Sequence, residues 1–238
     1  MKIAIHQPNF IPWIGYFSKI EASDIFVILD DAEYSKGSLI NRNKIKINNS
    51  AHWLTVPIEN VKNNIEESKK IYEIKIDNKQ NWKKKHISTL KQYYSKSPNY
   101  IDIIKMIEEV YSKDFEYLYE FNIQLINHIC VKLGIQKKMI FSSSLNINSK
   151  STERIIEIIK KIGGNIYLSG HGAKSYQNES MFVKNNIELY YIDIEQVTYP
   201  QQGSGFISSL SVIDYLFNVE KPNKEILIYK LTKAGNEN

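Results

Sequence analysis

MKIAIHQPNFIPWIGYFSKIEASDIFVILD, residues 1–30, decides the fold. Residues 2–6 are apolar with alternating character, which predicts a buried strand. Residues 13–22 carry apolar side chains at helical spacing. DIFVILD at 24–30 is a nearly continuous apolar run, as in parallel strands covered on both faces. Strand, helix, strand is the repeating unit of a parallel sheet. The turn between the first strand and the helix is usually short in such a unit. Here it reads HQPNFIPW, with two prolines, a histidine, two amides and two aromatics.

The alternation returns in the second half. MIFSS at 139–143, NIYLSG at 165–170 and IELYYIDI at 187–194 read as strands. STERIIEIIKKIG reads as a helix capped by Ser151 and ended by Gly163-Gly164. Between the halves, residues 31–49 form a polar loop or small hairpin, and HWLTVPI at 52–58 and IYEIKI at 71–76 read as strands. Residues 80–95, 98–112 and 114–133 carry apolar positions at helical spacing, with Gly134 as the stop of the third helix. LSVIDYLFNV at 210–219 and KEILIYKLTKA at 224–234 read as closing helices. The expectation is one α/β domain over 1–238, with a mainly parallel sheet and a helical insertion over 80–134.

Composition excludes several classes. At 238 residues and 42% hydrophobic content the chain buries a sizeable core. No apolar stretch approaches the ~20 residues that span a bilayer, and the N-terminus lacks the pattern of a secretion signal. A lone Cys130 rules out a disulfide framework, so a cytoplasmic location is expected. The His and Cys spacing fits no zinc site, and no Gly-x-Ser-x-Gly elbow is present. Net charge is +5, but it comes from lysine throughout. Of 31 basic residues only Arg42 and Arg154 are arginine. That bias does not select a nucleic-acid partner, although a basic groove for tRNA stays open as an alternative.

Open α/β sheets bind ligands beyond the carboxyl ends of their strands. The HQPNFIPW turn and the loop GHGAKSYQNE both sit at such ends, and NRNK lies on the long loop after the second strand. If the strands are parallel neighbours, one crevice gathers Gln7, Asn9, Asn41 and Asn43 as amides, Lys36 and Arg42 as cations, and Phe10, Trp13, Tyr16 and Tyr176 as flat faces. Ser169, Gly170, His171, Gly172 and Glu179 line its other side. Such a set suits a nucleotide-linked sugar. His6 is the candidate base and Asp30 its acidic partner; Asp30 with Asp31 also offers a seat for Mg²⁺. The sequence requires no cofactor, and ATP and Mg²⁺ remain open. QQGSGF at 201–206 reads as a flexible loop suited to a lid, and the middle helices offer a dimer interface.

HQPNFIPWIGYFSKI, ASDIFVILDDAEYSK, NRNKI, HWLTVPI, YLSGHGAKSYQNESMF and FISSLSVIDYLFN, in this order, resemble the WbqC-like protein family over almost the whole chain. Two departures stand out. Ala173 follows Gly172 where a second glycine is expected, and Gln177-Asn178-Glu179 follows Tyr176 where Leu-Asp-Glu is expected. The resemblance implies a place in bacterial surface-polysaccharide synthesis, such as O-antigen. It also implies a transferase that acylates or aminoacylates a nucleotide-linked amino sugar. A non-catalytic nucleotide-sugar or assembly binding protein and an aminoacyl-tRNA-dependent transferase are the alternatives. The layout is also similar to the nucleotidylyltransferase and class I synthetase group, which implies a Rossmann-like sheet. Trp13 and Tyr16 stand where that group has its ATP-contacting histidines, which argues against ordinary adenylylation.

Overall fold

A computed structural model describes residues 1–59, 69–175 and 177–235. Its core is a six-stranded sheet built from β1 (Lys2–His6), β2 (Ile25–Ile28), β5 (Lys138–Phe141), β6 (Ile166–Gly170), β7 (Glu188–Ile194) and β8 (Tyr229–Lys233). The spatial order is β5-β2-β1-β6-β7-β8. All neighbours are parallel except β8, which runs antiparallel along the edge of β7. A separate antiparallel hairpin joins β3 (Arg42–Ile47) to β4 (Ser50–Thr55). The helices are α1 (Ile14–Ala22), α2 (Trp82–Tyr94), α3 (Tyr100–Tyr111), α4 (Leu118–Leu133), α5 (Ser151–Lys161), α6 (Glu179–Lys184) and α7 (Val212–Asn218).

Strand alternation sorts the side chains into two apolar layers. Ile3 and Ile5 of β1 face Ile156 and Ile159 of α5 and Phe182 of α6. Ala4 of β1, Phe26 of β2 and Leu168 of β6 face the opposite way, into a core shared with α1, α2, α3, α4 and α7. The middle helices therefore form one side of a three-layer α/β sandwich. Gly134 ends α4 in the left-handed region at φ +71, with the Ile135 N–H returning to the Cys130 carbonyl. Among the described residues no helix is long and apolar enough to cross a membrane.

Three segments differ from the sequence reading. IYEIKI is not a strand: Ile71–Glu73 form a 3₁₀ turn. The apparent alternation arises because Ile71, Ile74 and Ile76 all reach the core, while their backbones bond to Ala32, Glu116 and Leu118 as a strap between loops. KEILIYKLTKA is not a helix. After a short turn at Lys224–Ile226 it becomes β8, because β7 offers an unpaired edge and Tyr229 and Leu231 alternate inward. Ser151 does not cap α5 but lies in its first turn at φ +51, with Lys150 at the cap position.

Candidate functional site

The opening turn is a brace. Its prolines Pro8 and Pro12 remove two N–H donors, so its carbonyls outnumber its donors. Side chains from elsewhere make up the difference. Asn122 of α4 donates to the Pro8 carbonyl (2.8 Å), and Asn43 of β3 donates to the carbonyls of Ile11 (2.8 Å) and Phe10 (3.3 Å). Ser211 donates to Ile11 (2.7 Å), and the Val212 N–H, at the start of α7, to Pro12 (2.8 Å). These bonds hold Ile11 at φ +34, an unusual value for a β-branched residue. Phe10 and Tyr16 are fully buried in the core, and Asn9 is buried beside them. The Trp13 ring folds back over the first turn of α1, where a Cβ on Gly15 would lie 2.3 Å from it.

Beyond this brace the sheet parts. β1 pairs with β2 through His6 opposite Ile28, and β6 pairs with β7 through Gly170 opposite Ile192. β1 and β6 pair only as far as Ala4 opposite Leu168. β2 lies on one side of β1 and β6 on the other, so the chain reverses direction across the sheet at this point. That is the topological switch point of an open α/β sheet, where ligands bind. The His6 carbonyl accepts from Leu29 on the β2 side, so the Ile5 carbonyl faces β6 and the opening. It accepts instead from the Nζ of Lys19 at 3.3 Å. Lys19 sits on α1, is only 8% exposed, and burial lowers its pKa to about 8.

His6 is at the mouth of this opening, partly buried, with its ring edge-on to Tyr16 at 4.9 Å. Nδ1 donates to the Gln7 carbonyl at 3.1 Å, since a carbonyl can only accept. Nε2 is then the acceptor of the neutral ring. Burial, then the positive charge of Lys19, push its pKa down to about 3, partly opposed by the Gln7 bond. His6 is therefore neutral at physiological pH, an acceptor more than a strong base.

The second loop supplies a better-oriented imidazole. His171 follows β6, and its Nε2 lies 2.5 Å from Asp193 Oδ1 at the end of β7. Thr232 of β8 donates to the other oxygen at 2.9 Å. The His171 ring stacks on Tyr191 at 5.2 Å, and the Tyr191 hydroxyl donates to Glu179 at 2.6 Å. His171 and Asp193 are both exposed. Ser169 is buried and donates to Gln177, which folds the loop back on itself. Cβ atoms built at Gly170 and Gly172 would meet nothing within 4 Å, so their backbones border open space. Tyr176 lies outside the described residues.

The remaining predicted residues are engaged elsewhere. The Arg42 guanidinium donates to the Gly37 carbonyl (2.7 Å) and lies over the Trp53 ring at 4.4 Å. Asn41 donates to Val56 and accepts from Tyr34. Lys36 is exposed on the same loop. Asp30 is buried and accepts from the Ser142 hydroxyl and from the backbone and hydroxyl of Ser143, tying β2 to the turn after β5. Asp31 pairs with Ser142 and with Arg154 of α5. Among the described residues no group of three or more His, Cys, Asp or Glu is placed to hold a metal ion. QQGSGF is tied down: Gln201 exchanges two bonds with the Ile207 backbone, and Lys46 holds the carbonyls of Ser204 and Gly205. A depression of about 370 Å³ lies apart from the switch point, lined by Glu59, Lys75, Asp77, Lys79 and Glu116. Sequence reasoning missed Lys19, Asp193 and Thr232. The signal for Lys19 was its place between Phe17 and Ile20, on the apolar face of its helix.

The WbqC-like protein family model matches residues 7–226. An uncharacterized protein of Mycobacterium tuberculosis is 34% identical over 230 residues, 96% of this chain and 98% of its own. No solved structure matches.

Proposed function

We propose a function for a chain that belongs to the WbqC-like protein family: it is a cytoplasmic transferase that binds a nucleotide-linked amino sugar and acylates or aminoacylates the sugar amine, in the synthesis of a bacterial surface polysaccharide. The observation that carries this reading is the parting of β1 and β6 two residues before their neighbours part. It leaves an opening at the switch point with glycine backbone on one wall and a buried cation behind it. Backbone approach and positive charge suit a diphosphate. In this reading His171, oriented by Asp193, takes the proton from the sugar amine as the new amide bond forms and the donor's leaving group departs. His6 accepts a hydrogen bond from a sugar hydroxyl at Nε2.

The test is thermal unfolding of the wild type and of Gly170→Ala against UDP-, GDP- and dTDP-amino sugars, ATP and uncharged tRNA. A ligand at 100 times its Kd stabilises the native state by ~2.7 kcal/mol. A midpoint shift with one nucleotide-sugar, reduced in the glycine variant, supports the reading. A shift with ATP or tRNA alone overturns it in favour of a synthetase-like or tRNA-dependent activity.

A further inference from the structure

Among the described residues two lysines are almost fully buried, and they are treated differently. Lys46 is 5% exposed and donates to two carbonyls, Ser204 and Gly205, next to the buried carboxylate of Asp214, whose charge it feels. Its charge is compensated. Lys19 is 8% exposed and among the described residues has one hydrogen-bond partner, the Ile5 carbonyl. Among the described residues no carboxylate pairs with it. An ammonium carries three donors, so two are left over. A buried cation without a counter-charge is expensive, and such groups are otherwise paired or replaced by apolar residues.

The geometry gives this cation a direction. Helical side chains lean toward the helix N-terminus, so the Lys19 stem runs back up α1 toward the carboxyl edge of the sheet. It ends at the carbonyl that β1 freed when it parted from β6. The first turn of α1 above it holds no acidic residue, and its cap position, Trp13, makes no side-chain cap bond. The positive end of the helix is therefore uncompensated on the same side. Gly170 of β6 follows Ile166 and Leu168 on the sheet face that α1 covers, and the space in front of it is open. Charge, helix end and open glycine backbone all lie on one face of the sheet, at its carboxyl edge.

We propose that the Lys19 ammonium is the receptor for a phosphoryl group of the ligand, held by the Ile5 carbonyl inside the parting of β1 and β6 until the anion supplies its missing counter-charge. This rests on the reading that the ligand carries a diphosphate, and it names the residue that binds it. The Arg42 fork, which the sequence offers more openly, takes no part, being held by the Gly37 carbonyl and the Trp53 ring.

The experiment uses inorganic pyrophosphate and the nucleotide-sugar panel as probes, titrated calorimetrically into the full chain. Wild type, Lys19→Met and Gly170→Asp are compared. Lys19→Met keeps the stem and removes the charge. Gly170→Asp leaves Lys19 intact but places a carboxylate in the open space at the same edge of the sheet, so the proposal stays testable even if the first variant misfolds. Pyrophosphate is expected to bind the wild type and to lose at least tenfold in affinity in each variant. Unaltered pyrophosphate affinity in a folded Lys19→Met protein, or in Gly170→Asp, overturns the proposal. So does a wild type that binds no pyrophosphate. Pyrophosphate binding that depends on Lys19, with no nucleotide-sugar bound, keeps the anion site and removes the sugar-transferase reading. Nucleotide-sugar binding that is equal in wild type and Lys19→Met does the reverse.

Discussion

Replacing Lys19 by Met should make the unliganded protein more stable at neutral pH. Burial brings the Lys19 pKa from its ordinary 10.5 down to about 8. At ~1.36 kcal/mol per pKa unit, the charged form costs the native state ~3 kcal/mol. Methionine fills nearly the same volume without the charge, but it forfeits the bond to Ile5 and leaves that carbonyl short of a donor, worth ~1 kcal/mol. The net gain is ~2 kcal/mol, or ~4–8 °C in midpoint for a chain of this size. The pH dependence has a fixed sign. Below pH 8 both folded and unfolded lysine are charged, and the cost is present in full. Between about 8 and 10.5 the folded lysine loses its proton while the unfolded one keeps it. The unfolded state then holds more protons, so wild-type stability rises with pH relative to the variant. Urea unfolding of both proteins at pH 7 and pH 10 measures this directly, because other titrating groups cancel in the difference. The gap should close by most of its ~3 kcal/mol charge component by pH 10. A Met variant less stable than wild type by more than ~1 kcal/mol at pH 7, or a gap that does not move with pH, would refute the account of Lys19 as an uncompensated buried charge.

Gly15→Ala should lose ~1–3 kcal/mol in urea unfolding, although alanine normally gains ~1 kcal/mol over glycine inside a helix, because its Cβ would lie 2.3 Å from the Trp13 ring. A stabilised variant would mean that the ring moves aside freely. Gly170→Ala adds a methyl group to open space in an ordinary strand conformation, so its unfolding midpoint should stay within ~0.5 kcal/mol of wild type while nucleotide-sugar affinity falls. A large loss of stability would place the glycine in the packing instead. Asp214→Asn should cost at least ~2 kcal/mol: this fully buried carboxylate accepts from Tyr94 (2.6 Å), Tyr199 (3.0 Å) and Gln201 (2.9 Å), and an amide offers one oxygen in place of two. Ligand affinity measured on the same variant should be unchanged. Asp193→Asn should leave ligand binding intact and lower transfer by ~10²-fold or more, because His171 loses the carboxylate that orients it; an unaffected rate would remove His171 as the proton acceptor.

The parallel sheet was legible because periodicity is local. Residues 2–6, 24–30 and 165–170 are apolar runs of strand length, and the helices between them carry an apolar stripe. What failed depended on partners distant in sequence. KEILIYKLTKA fits a helix by composition, and only the free edge of β7 makes it a strand. Ile71, Ile74 and Ile76 are apolar because three loops close over them, not because they alternate on a sheet. The candidate site shows the same division. Its location at the carboxyl ends of the first strand and of NIYLSG was readable from topology. The residue roles were not, since an amide that binds a sugar and an amide that binds a stranded carbonyl are the same side chain.

That ambiguity resolves once the donors of the opening turn are counted. HQPNFIPW lacks two N–H groups, and a turn buried against α4, β3 and α7 has no water to fill the deficit. Asn43, Asn122 and Ser211 are the donors that do. They come from three elements far apart in the chain, so the turn stays in place only when the whole helical layer is assembled. The prolines fix the backbone further, and Ile11 holds a conformation that only such constraint sustains. A turn built in this way does not close over a ligand. It fixes His6, Gln7 and the first turn of α1 at the carboxyl edge of the sheet, so in the proposed reading ordering the turn adds no cost to binding. The opposite wall carries Gly170, Gly172 and the exposed His171, whose ring is held by Asp193.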